Sequence, residues 1–158
     1  ALSDSLAARL ASLEAELTLR PSSRLRLDQA YLYSDLSTSD ESALPAGAPS
    51  GRIFTDHILR TRVNYQFTRA LSARVILDYE SLSPNQALID LEDERRFNAD
   101  VLFTYLVNPW TAVYLGYSDG YANQPLAPIP SPPPSRADLP LTSVGRQVFV
   151  KLSYLFRY

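Results

Sequence analysis

Asp78 and Glu80 stand two residues apart, so in an extended segment both carboxylates leave the chain from the same face. Paired carboxylates of that kind can share the acid and nucleophile roles of glycoside hydrolysis. Arg60 and Arg62 repeat the spacing on the preceding segment, and a register that sets Phe67 opposite Ala73 brings Arg62 against Asp78 and Arg60 against Glu80. The four charges then read as two neutralised cross-strand pairs in a sheet wall and not as a catalytic dyad. The run Asp90, Glu92, Asp93, Glu94 offers oxygen ligands to a divalent cation, but the glycine and the spacing of a calcium loop are missing. Arg95 and Arg96 follow it directly, which reads as a solvated loop. With one histidine, His57, and no cysteine, the chain cannot build a His-based metal cluster, a Cys-ligated zinc site or a thiol nucleophile. No catalytic residue, metal or cofactor is expected, and the chain is read as a non-enzyme.

What must position these charges is an alternating chain. At 158 residues it has the length of one ordinary domain. Its net charge of −2 and the absence of a basic stripe argue against nucleic acid as a partner. No apolar run reaches the roughly 18 to 20 residues that a spanning helix needs. Mean hydropathy of −0.13 is compatible with strands whose two faces average out. Ten tyrosines and twelve prolines are the excesses. No signal peptide precedes Ala1 and no methionine occurs, so the chain is expected to be a mature or trimmed C-terminal piece of something longer.

Seven segments alternate. In the first, Ser5 to Leu19, the leucines 6, 10, 13 and 17 also fit helical spacing, but Ala11, Leu13, Ala15, Leu17 and Leu19 alternate with polar residues. The turn Pro21-Ser22-Ser23 and a second alternating run, Arg24 to Asp35, favour a strand. Further strands are expected at about Arg52 to Thr68, after the turn Arg69-Ala70-Leu71 with Ala73, Val75, Leu77 and Tyr79 on its apolar face, at Arg95 to Val107, at Thr111 to Tyr121 and at Arg146 to Tyr158. Connections are short at 21 to 23, 69 to 71 and 108 to 110, and long at 36 to 51, 82 to 94 and 122 to 145. The last long loop holds PLAPIPSPPPSRADLP, which cannot join a sheet.

Strict alternation of short turns and long loops is the pattern of a transmembrane up-and-down barrel. The aromatics sort with it: Tyr65, Phe67, Tyr105, Trp110, Tyr154, Phe156 and Tyr158 fall near the short turns, while Tyr79, Tyr117 and others fall near the long loops. Two aromatic girdles around a Val/Leu band are what a bilayer selects. The expected fold is therefore all-β: residues 1–158 as a single antiparallel up-and-down transmembrane β-barrel segment of about seven strands, part of a larger barrel. Parity does not say which face points inward, and a soluble β-barrel that binds a small apolar ligand inverts the assignment. Seven strands with two open edges cannot rest in lipid alone, so remaining strands are expected from upstream sequence or another chain. In the membrane reading, Arg24, Arg26, Arg60, Arg62, Arg74, Lys151 and Arg157 form a basic interior component able to favour anionic solutes, and the interleaved Asp28, Asp78, Glu80 and Asp100 equally suit a mixed, mostly structural lining.

Three stretches, NYQFTRALSARVILDYESL (64 to 82), DVLFTYLVNPWTAVYLGYSDGY (100 to 121) and GRQVFVKLSYLFRY (145 to 158), resemble the C-terminal end of a family of bacterial outer-membrane proteins. In that family a carbohydrate-binding, family 9-like domain precedes a large membrane barrel of unknown function. The resemblance covers residues 52 to 158 well and the first hairpin more weakly, and the carbohydrate-binding domain is absent from this sequence. It implies a pore, translocation channel or membrane anchor in the outer membrane of a Gram-negative bacterium, with a link to glycan handling through the parent protein. Outer-membrane lipid and lipopolysaccharide are the implied surroundings. The tail also looks like the signal read by the barrel-assembly machinery, as Lys151, Ser153, Phe156 and Tyr158, with Ser153 where glycine is usual.

Overall fold

In the computed structural model, residues 8–38, 51–124 and 136–156 are described. They form seven strands: β1 (Ala8–Ser22), β2 (Leu25–Thr38), β3 (Arg52–Gln66), β4 (Leu71–Pro84), β5 (Glu94–Asn108), β6 (Thr111–Ala122) and β7 (Thr142–Tyr154). All lie in one antiparallel sheet in the order of the sequence, each paired with the next. The expected all-β, up-and-down sheet of seven strands is thus the architecture, open at β1 and β7. Residues 8–22 are extended, so period-two alternation governs the first segment and the helical leucine spacing does not.

The strands run 12 to 15 residues, at least twice the usual strand of about 5 to 6 in globular proteins. Short links join them at one end. Pro21 is tolerated because it sits on the edge strand at a register break between Leu19 and Ser22, where no ladder donor is needed. At the β3–β4 link the Thr68 hydroxyl accepts the Ala70 and Leu71 amides at 3.2 and 3.0 Å, and the Phe67 amide reaches the Leu71 carbonyl at 3.0 Å. Asn108 holds the Pro109-Trp110 turn by accepting the Trp110 amide at 2.9 Å.

That Thr68-centred turn corrects the expected charge register. Tyr65, not Phe67, faces Ala73; Arg60 faces Asp78, Arg62 faces Ile76, and Glu80 faces Ile58. The pairs Arg62–Asp78 and Arg60–Glu80 do not form. The slip is two residues, which leaves every side chain on its expected face, so apolar alternation alone could not detect it. The closing strand is corrected as well. It begins at Thr142 and ends at Tyr154, four residues short of the expected end, and Tyr158 lies outside the described residues.

The two faces differ in shape and chemistry. Leu13, Leu17, Leu59, Tyr65, Phe103, Tyr105, Leu115, Val148, Val150, Leu152 and Tyr154 share one face and are all exposed. Among the described residues the buried hydrophobic side chains are Ile53, Ala112 and Ala122. A sheet this size therefore has no hydrophobic core of its own. Four grooves, about 210 to 530 Å³, all lie over the opposite, polar face, which makes that face concave and the apolar face convex.

Candidate functional site

The concave face carries most of the charge of the sheet, and its cross-strand rows order that charge from the short turns to the long loops; the pair Asp119–Arg146 lies on the convex face. The first row runs Gln66, Ser72, Thr104, Tyr114, Lys151, with Arg24 adjoining it through its carbonyl, which accepts the Gln66 amide at 2.8 Å. The second runs Arg26, Asn64, Arg74, Leu102. Both rows carry cations and no carboxylate. In the third row Asp28 and Asp100 stand against Arg62; in the fourth Glu16 and Asp78 stand against Arg60; in the fifth Glu14 and Glu80 stand against Arg96. The face is thus cationic at the short-turn end and has a carboxylate excess beyond.

Neutralisation is local. Arg60 Nε donates to Asp78 Oδ1 at 2.6 Å, and Arg26 Nε lies 2.9 Å from both Asp28 oxygens, of which Oδ1 also accepts the Thr18 hydroxyl at 2.7 Å. The Ser118 hydroxyl donates to Asp100 across the β5–β6 pair. Gly116 faces Phe149, whose ring lies over the glycine so closely that a Cβ there would overlap it. That aromatic cover over a bare backbone was not foreseen, although Gly116 shares its strand face with the small Ala112 and Ser118.

Most of the expected aromatic girdle residues occupy the convex face. Tyr65 packs edge-on to Phe67 at 4.7 Å between ring centroids and Tyr154 to Phe156 at 4.5 Å, with Tyr105 and Trp110 exposed at the same short-turn end. Toward the long loops Tyr31, Leu59, Tyr79, Phe97 and Tyr121 share one cross-strand row. Tyr117 stands four residues deeper than Tyr121, nearer the middle of its strand than expected. Its hydroxyl donates to Asp119 at 2.8 Å; Tyr121, Ser143 and Arg146 each donate to the same carboxylate at 3.0 Å. This cluster went unread, although Tyr-x-Asp-x-Tyr over 117 to 121 puts all three side chains on one strand face.

At the long-loop end, Asn123 is fully buried. Its Oδ1 accepts the Arg95 amide at 2.7 Å, and its Nδ2 donates to the carbonyls of Asp93 and Arg136 at 3.1 and 2.8 Å. Arg95 donates to the carbonyls of Ala137 and Leu139 at 2.8 and 2.7 Å. Glu92 and Glu94, from the acidic run, face Arg136 at 3.3 and 3.9 Å, so these carboxylates tie the second long loop to the third. Among the barrel-assembly residues, Lys151 lies 5.9 Å from the Tyr114 ring centroid and on the concave face with Ser153, while Phe156 is exposed beyond the strand end. His57 accepts or donates at 2.8 Å with the Tyr31 hydroxyl. Comparison with family models, curated proteins and solved structures finds no match to this chain.

Proposed function

We propose that the chain is a non-enzymatic component of an outer-membrane β-barrel in a Gram-negative bacterium, its convex face in lipid and its concave face on an aqueous lumen. The observation that carries this reading is the placement of the large hydrophobic side chains on the convex surface, exposed, with aromatic residues toward both ends. In water each such side chain forgoes about 1.5 to 3 kcal/mol of burial, and a bilayer supplies that burial without a second layer of protein. A soluble barrel closed around an apolar ligand needs its apolar face concave, and the grooves lie on the other face.

Strand length supports the same reading. Even the 12 residues of β6 exceed the 9 to 11 that cross a hydrocarbon core when tilted. The open edges of β1 and β7 are paired, in this reading, by further barrel strands, because unpaired backbone groups do not persist in lipid. The barrel acts as a pore, translocation channel or membrane anchor, delivered by the barrel-assembly machinery; its link to glycan handling rests on the family resemblance alone. Cell fractionation tests the reading. The intact chain is expected in outer-membrane detergent extracts and to migrate faster unboiled than boiled. Recovery as a folded monomer in the detergent-free fraction overturns it.

A further inference from the structure

We infer that the short-turn end of the concave face is a binding groove for a multivalent oxyanion, a small solute bearing two or more phosphate, sulfate or carboxylate groups. The groove has a volume of about 520 Å³ and is lined by Arg20, Arg24, Arg26 and Arg74, with Asn64 between the last two and no carboxylate in its wall. Of the four guanidinium groups, only Arg26 has an ion-pair partner among the described residues, Asp28. The others face the groove while the carboxylates of the same face stand beyond it, three rows of them toward the long loops.

The geometry fits a ligand with more than one charged group. Arg26 and Arg74 flank Asn64 from the two neighbouring strands, so their backbones are two strand spacings apart, about 10 Å. Flexible side chains of arginine length reach inward from both sides, and the planar fork of each guanidinium matches the geometry of an oxyanion. Asn64 adds a neutral donor at the centre. A single chloride needs none of this width. The carboxylate excess in the next rows sets a boundary: an anion held in the groove meets repulsion if it moves toward the long loops, so the site is a vestibule at one end of the face and not a uniform lining.

This inference deepens the barrel reading and rests on it for the groove's place at a lumen mouth; the binding itself rests on the groove alone. The test is calorimetric titration, with inorganic pyrophosphate, of the native protein purified in a non-ionic detergent with whatever pairs its β1 and β7 edges retained. Saturable binding is expected, weakening steeply as salt rises. Arg74→Gln and Arg24→Gln are each expected to weaken it about tenfold or more, the loss of a charge-assisted hydrogen bond. Arg96→Gln, in the fifth row, is expected to leave it within twofold or so. Both groove arginines are exposed, and Arg24 lies in a turn, so at least one variant retains the fold for comparison. Absence of saturable binding, or variants at Arg24 and Arg74 that bind as tightly as the parent, overturns the site. Pyrophosphate binding by a chain that fractionates as a soluble monomer keeps the site and overturns the barrel; an outer-membrane chain without binding does the reverse.

Discussion

Adjacent residues on β4 give the sharpest test of which face meets lipid. Ile76 and Leu77 have the same size and depth but opposite faces: Ile76 lies between Arg62 and Asp100 on the concave side, and Leu77 between Thr61 and Ala99 on the convex side. Leu77 is six residues from the Leu71 end of its strand and seven from the Pro84 end, so it sits at mid-height, about 20 to 24 Å from either end at 3.4 Å per residue. Arginine at the midplane of a barrel's lipid face costs about 2 to 4 kcal/mol, which corresponds to a ~30- to ~900-fold fall in the folding equilibrium. Ile76→Arg puts its charge beside an aspartate and into water, and is expected to change stability by about 0.5 kcal/mol or less. The assay is urea-dependent folding into phospholipid vesicles in the presence of the strands that pair β1 and β7, followed by tryptophan fluorescence from Trp110 and by protease protection. The soluble alternative also penalises Leu77→Arg, so a second arm is needed. With no native cysteine, Leu77→Cys can be labelled alone and exposed to a quencher in the lipid tails. Quenching at Leu77→Cys with none at Ile76→Cys is expected; equal tolerance of arginine at both positions, or quenching from the Ile76 side, refutes the orientation.

Three further outcomes follow from particular contacts. A double-mutant cycle for Arg60 and Asp78 is expected to yield a coupling of about 0.2 to 1 kcal/mol, as for an exposed pair, while cycles for Arg62 with Asp78 and Arg60 with Glu80 yield none. Gly116→Ala is expected to destabilise by about 1 to 3 kcal/mol through overlap with the Phe149 ring, and less in a Phe149→Ala background, read from urea midpoints in micelles. Asn123→Ala strips partners from the Arg95 amide and from the Asp93 and Arg136 carbonyls; hydrogen exchange is expected to accelerate at Arg95, with a local cost of about 1 to 3 kcal/mol.

Strand number, order and facing were legible because they rest on period-two alternation and on turn residues such as Pro21, Pro109 and the polar link after Gln66. Register was not. A shift by two residues conserves every face, and the rule of pairing opposite charges favoured the wrong solution because it counted two ion pairs where the structure makes one. The deciding element was the Thr68 hydroxyl, which holds a turn wider at its start than the three residues assigned to it. The start of β7 was missed for a related reason. Gly145 looks like a strand breaker, yet it faces Gly120 inside the ladder, and a register break beside it brings Thr142 and Ser143 into the strand. Of the site itself, the basic component was readable from Arg24, Arg26 and Arg74, but their separation from the carboxylates emerges only when register stacks the strands into rows. Asn123 left no local signal, since Asp93 and Arg95 lie in the preceding loop and strand and Arg136 stands 13 residues further along.

The edges of the sheet carry the last step. Strands at a natural edge are blunted by short length, inward charge, lysine or proline. Here β1 and β7 span 15 and 13 residues, and their Leu13, Leu17, Val148, Val150 and Leu152 are among the most exposed hydrophobics of the chain, Val150 at 71%. Pro21, Lys151 and the inward Glu14 and Glu16 of β1 are the protection they have, and Pro21 sits at the far end of its strand. By length, alternation and side-chain type both strands match the interior strands β3 to β5. In the proposed barrel their exposure is covered by further strands on each side, and the same apolar band that continues across β2 to β6 runs off both edges without a change of residue type. In that reading the sheet closes by adding strands to both edges in the same register of faces, which extends the convex apolar band and the concave rows of charge together.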